Sequence, residues 1–170
     1  MLRINREEGI FVTTEPINLS LISKESTRKV RQNGKRLVYL GLIVIAVKRL
    51  VRKNLCTKVL ISLLDNGWRT NAKNTLIAAV EVDMSENKII FYRSPEFSVR
   101  VKDLELLKIG IQTRGYEDLV KRSNLLVNIG FIGELTDSST TKYKLNINGI
   151  ISERSSKGVK MIKPMAIDSD

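Results

Sequence analysis

Residues 37–83 read LVYLGLIVIAVKRLVRKNLCTKVLISLLDNGWRTNAKNTLIAAVEVD, and this stretch decides the fold. Three apolar runs, at 37–48, 57–64 and 76–82, are separated by two basic connections. The runs are short, rich in Val, Ile and Leu, and bounded by polar clusters, as buried strands are. The first is apolar at nearly every position, so both of its faces must be covered, and Gly41 inside it marks a bulge or a close neighbour. The second places Val59, Ile61 and Leu63 on one face and Lys58, Leu60, Ser62 and Leu64 on the other. It ends in Asp65-Asn66-Gly67, a turn in which the aspartate either caps its own backbone or pairs with Arg49, Arg52 or Arg69 to fix the loop. The third alternates, with Leu76, Ala78, Val80 and Val82 inward and Ile77, Ala79 and Glu81 outward.

Further strands are expected downstream at 88–93, 96–101 and 125–135. In the last, Leu125, Val127, Ile129, Phe131 and Leu135 share a face. Residues 104–109 read equally as a helical turn or a strand, and 116–122 as a short helix. A hairpin is expected from 143–147 through Asn148-Gly149. Upstream, Ile10, Phe11 and Val12 read as a short strand, and Leu19, Leu21 and Ile22 as cover for a core edge. Seven or eight short strands with few helices predict an all-β, antiparallel, jelly-roll-like sandwich or barrel with one or two short helices and mobile termini. Residues 1–36 are expected to form a basic lead-in, 37–153 the β domain, and 154–170 a mobile tail.

Charge narrows the function. The 170-residue chain carries a formal net charge of +11, which favours polyanionic partners. Residues 24–73 hold 13 Lys or Arg against two acids, Glu25 and Asp65. Arg28, Lys29, Arg31, Lys35 and Arg36 lie in the lead-in. Lys48, Arg49, Arg52 and Lys53 follow the first strand, and Arg69 and Lys73 follow the second. Cations in loops and at strand ends can track a phosphate backbone, neutralise it and release counterions. These residues are therefore the candidate nucleic-acid-binding set. Aromatics make up 5% of the chain, which argues for sequence-blind phosphate contact over base reading. Trp68 reads as a core or hinge residue, with base stacking as the alternative.

Catalysis is not expected. The absence of histidine removes the commonest general base and metal ligand, and with it every Ser-His or Cys-His nucleophile. Glu81 and Asp83 share a strand face, but no phosphate-cradling glycine loop or metal-ligand spacing accompanies them. No cofactor and no metal are expected. A single cysteine, Cys56, excludes an intrachain disulfide. The longest apolar run, 37–47, is about half the roughly 20 residues a membrane-spanning helix needs, so a soluble or peripheral protein is expected.

The order of elements from about residue 38 to 145 resembles the plant-virus movement proteins of the 30K superfamily. YLGLIVIAVKRL is followed by the basic RKNLCTK and then by VLISLLD, whose Asp65 is similar to the family's hallmark aspartate. The loop NGWRTNAKNT leads to LIAAVEVDM, then to the proline-containing IIFYRSPEFSVRVKDL, and on to IQTRGYEDL and LLVNIGFIGEL. The resemblance implies a jelly-roll-like domain related to small viral capsid proteins, with a structural or assembly role for Asp65. It also implies cooperative, non-specific binding of single-stranded RNA or DNA, self-association, and action at plasmodesmata on the cytoplasmic side of the cell periphery. Host plasmodesmal or membrane components are implied as partners, and viral coat protein in members with a longer C-terminal region. The alternative is a capsid- or matrix-like protein that self-assembles with its basic face against genome or anionic lipid.

Overall fold

The computed structural model describes residues 1–10, 15–50, 58–67, 76–84, 88–93, 97–114, 125–138 and 160–162. Two sheets, antiparallel except for one parallel edge pair, enclose one core. The larger contains β1 (Leu2–Ile10), β9 (Leu125–Thr136), β3 (Leu37–Arg49), β6 (Lys88–Arg93) and β10 (Lys160–Ile162) in that order, with β7 (Phe97–Arg100) also paired to β3. The smaller runs β2 (Ile17–Ser20), β8 (Leu107–Arg114), β4 (Lys58–Asp65), β5 (Leu76–Asp83). A helix, α1 (Lys24–Gln32), and a 3-10 turn, Val101–Leu106, close one end. The fold is an all-β sandwich of jelly-roll type.

The 13-residue β3 is its spine. Along one side it pairs with β9; along the other it pairs first with β7 and then with β6. The register slips between Leu40 and Leu42, so Gly41 is the bulge its position announces. The slip changes which residues face inward: Val38 and Leu40 before it, Ile43, Ile45 and Val47 after it, all in the core. The opposite face is covered as well, with Tyr39, Leu42, Val44 and Ala46 all buried. Each large aliphatic so buried contributes about 1.5–3 kcal/mol, which makes this strand the main source of cohesion. From the facing strands come Val59, Ile61 and Leu63 of β4 and Leu125, Val127, Ile129 and Phe131 of β9, nearly solvent-free on the expected faces.

Several expectations are corrected. The lead-in is part of the β fold: β1 pairs with β9 from Leu2 to Ile10. Leu2 and Ile4 pack on the core while Arg3, Asn5 and Glu7 face out, an alternation thin in apolar residues. The basic stretch after it is helical, because Ser23 caps α1 by accepting the Ser26 N–H at 3.1 Å and Thr27 and Val30 are buried. Within the expected tail, Lys160–Ile162 pairs in parallel with β6. The ambiguous 104–109 stretch divides, its first residues finishing the 3-10 turn and the rest opening β8. The expected helix at 116–122 and the hairpin at 143–149 lie outside the described residues, as do Phe11, Val12, Cys56 and Trp68.

Arg49 is the most consequential correction. It was expected in a cationic connection, but it ends β3 and is 3% exposed. Its Nη1 donates to the Met84 carbonyl at 2.7 Å, while its buried Nε has no partner among the described residues. It is tethered inside the sandwich because β3 continues one residue past Lys48.

The start of β3 is tied to the end of β9 by Asp137. Its carboxylate accepts from Lys35 Nζ at 2.8 Å and from the Arg36 backbone N–H at 3.1 Å. The Lys35 hydrogen bond, followed by the Arg36 N–H, lowers the pKa of Asp137 below the ordinary carboxylate value.

Three outcomes follow from this packing. At Gly133 an added Cβ would overlap the Tyr39 carbonyl oxygen and the Phe131 ring, whereas at Gly130 its nearest neighbour is 3.7 Å away. Gly133→Ala should therefore cost about 1–3 kcal/mol in urea unfolding, with Gly130→Ala much milder. Arg49→Ala strands the Met84 carbonyl and should lower stability by about 1–3 kcal/mol in the same assay. Because the folded-state pKa of Asp137 is depressed, its contribution is present above the unfolded carboxylate value, about 3.9, and is lost as pH falls through the folded value. Melting curves of wild type and Asp137→Asn should differ at neutral pH and converge in acid.

Candidate nucleic-acid interface

The expected cations separate into two groups. A strand rises about 3.3 Å per residue, so the two ends of β3 stand roughly 40 Å apart. Lys48 and Arg49 are at one end; Lys35 and Arg36 precede the other, beside α1. Lys48 is exposed, and Arg49 is withdrawn from any surface role. Arg52, Lys53, Arg69 and Lys73 lie outside the described residues.

At the α1 end, local sequence positions the charges. Arg28 and Arg31 are three residues apart on the helix and therefore neighbours on its surface. Both are exposed, since Thr27 and Val30 form the buried stripe. Lys29 lies one residue along, 2.7 Å from Glu25. After Asn33 and Gly34, whose φ of +73° suits glycine, the chain reverses toward β3 and presents Lys35 and Arg36. The Arg36 carbonyl accepts the Val101 N–H at 2.9 Å, fastening this connection to the start of the 3-10 turn. Arg31 reaches across the same junction, with Nη2 3.4 Å from the Lys102 carbonyl and 3.3 Å from Glu105.

That junction brings in two cations absent from the expected set, Arg100 and Lys102. With Arg31, Arg36 and Val101 they line an open groove of about 380 Å³. Alternation in SVRVK sets Arg100 on the face opposite Val99 and Val101; its meeting with residues 31 and 36 depends on β7 pairing with the start of β3. Arg100 Nε is 2.6 Å from Asp103, and Arg36 Nε is 3.8 Å from Asp137. The guanidinium of each pair is exposed to water, which screens the attraction, so both arginines yield readily to a competing anion.

Asp65 ends β4 and accepts the Gly67 N–H at 2.8 Å, the turn-closing role read from its sequence. The following Asn66 N–H donates to the Leu106 carbonyl at 3.0 Å, docking the turn on the 3-10 segment. The aspartate thus organises the same end of the sandwich as the groove. At the far end Glu81 is 3.4 Å from Lys58. No helix among the described residues is long and apolar enough to cross a membrane.

One solved structure of a viral particle agrees with this architecture. A solved structure of turnip yellow mosaic virus superposes with a TM-score of 0.51 at 13% identity, covering 82% of this chain and 84% of that one. A second, of the Triatoma virus empty capsid, gives a TM-score of 0.44 at 12% identity, over 84% of this chain and 92% of that one. In sequence, the chain is 26% identical over 160 residues to polyprotein P3 of Commelina yellow mottle virus, a match that covers 94% of this chain and 8% of that polyprotein. The sequence profile of the family described as "Viral movement protein (MP)" matches residues 3–115, from β1 through the end of β8. The chain belongs to the viral movement protein family.

Proposed function

We propose that this chain binds single-stranded nucleic acid without sequence preference through the cationic α1 end of its sandwich, and carries a viral genome from cell to cell through plasmodesmata. The observation that carries the reading is the convergence of Arg28, Arg31, Lys35, Arg36, Arg100 and Lys102, all exposed, at one end of a member of the movement family. The reading is non-enzymatic: the sandwich supplies rigidity and its cations supply affinity. In it, copies of the chain associate along a strand, and host plasmodesmal or membrane components and viral coat protein are the further partners.

Physical chemistry supports the division of labour. Phosphate contacts give affinity without sequence information, and counterion release makes that affinity fall with salt. Strand ends are where a sandwich can hold charge without disturbing its core. At physiological ionic strength the Debye length is about 8 Å, so Lys48 adds little to the potential roughly 40 Å away at the α1 end.

Anisotropy titrations with a labelled 20-mer test this reading. For about four neutralised phosphates, the log–log salt slope should be about −3. The double variant Arg28→Gln, Arg36→Gln should weaken binding alike across unrelated sequences and make the slope shallower by about one to one and a half. Salt-independent binding, or none at low salt, would contradict it. In leaf epidermis the tagged protein should form puncta at cell walls and spread to neighbouring cells; uniform particles without wall puncta would contradict transport.

A further inference from the structure

We infer that the groove between α1 and the 3-10 turn is a nucleotide subsite, in which one unpaired base lies on an apolar wall while its flanking phosphates meet the rim cations. The inference rests on the nucleic-acid reading above and gives it a location and a stoichiometric unit. Its basis is the composition of the groove. The rim carries Arg31, Arg36, Arg100 and Lys102, contributed by the helix, the connection before β3, the end of β7 and the 3-10 turn. Nearby acids are fewer: Glu105, Asp103 and Asp137. The floor at Val101 is 6% exposed, and the aliphatic stems of the four cations make up much of the remaining wall.

That combination selects among anions. A bare inorganic phosphate would engage the charged heads and leave the apolar wall wet. A duplex would offer phosphates but keep its base faces stacked inside. An unpaired nucleotide satisfies both halves, because a base can lie against guanidinium planes and aliphatic stems while arginine forks hold the adjoining phosphates. A volume of about 380 Å³ falls within the roughly 300–1,000 Å³ of small-ligand sites. Fixation of the junction by the Val101 N–H to Arg36 carbonyl bond pre-arranges the rim, reducing the ordering that binding must impose.

The test compares two double variants that remove equal charge. One is Arg100→Gln with Lys102→Gln, in the groove; the other is Lys29→Gln with Lys48→Gln, outside its lining. Each pair includes one cation ion-paired to an acid and lies on the surface, and melting temperatures verify folding. The probes are a thymidine 20-mer, an abasic 20-mer with the same phosphates, and a 20-base-pair duplex. The groove pair should weaken thymidine 20-mer binding at least fivefold more than the outside pair, the size of one lost stacking contact. On the abasic strand, where only phosphate contacts can be lost, the groove pair's own loss should be at least fivefold smaller. Equal losses on both strands, or a duplex bound as tightly as the single strand, overturn the subsite and leave charge-driven binding standing. Failure of the wild type to bind any probe at low salt overturns the nucleic-acid reading itself. Loss of anionic-lipid vesicle binding in the groove pair, with oligonucleotide binding intact, would assign the groove to a headgroup and overturn the inference.

Discussion

A strand that is apolar on both faces cannot sit at a surface, and β3 is such a strand. Water must be excluded from Leu42 and Val44 as well as from Ile43 and Ile45. β3 therefore needs neighbours on both edges and cover on both sides. β9 lies along one edge, β7 and β6 share the other, and the β4 and β8 sheet covers the core side. With β3 fixed this way, its first residue marks one end of the molecule and its last the other. The positions of α1, the 3-10 turn and the Asp65 turn follow from that frame.

The same constraint sorts the cations. A long charged side chain is tolerated where a strand leaves the sandwich, and excluded or tied down where it remains inside. Lys35 and Arg36 precede the strand and are exposed. Arg49 belongs to its last pairing, opposite Leu125, and spends its guanidinium on a carbonyl. One position along the chain separates exposed Lys48 from buried Arg49, so charge counts taken over a whole connection overstate what a partner can reach.

Much of the fold was legible because period-2 alternation and apolar runs report burial directly. The core faces of β4 and β9 and the Gly41 bulge followed from residue order, as did the turn-closing role of Asp65. Elements with little apolar content were not legible. α1 buries Thr27 and Val30 of its nine residues, although Ser23 and the Glu25–Lys29 spacing were available signals of a capped helix. β1 carries its pattern on Leu2 and Ile4 among charged residues. The groove could not be read at all, because Arg31 and Lys102 meet only through the pairing of β7 with β3.

The bulge at Gly41 has a consequence for the chain as a text. Residues 37–49 are written in two phases: inward letters are even-numbered before the glycine and odd-numbered after it. Any gain or loss of one residue on either side would exchange interior and exterior for half the spine. Length in this segment is thus held more tightly than chemical identity, since one aliphatic replaces another far more easily than a parity error can be absorbed.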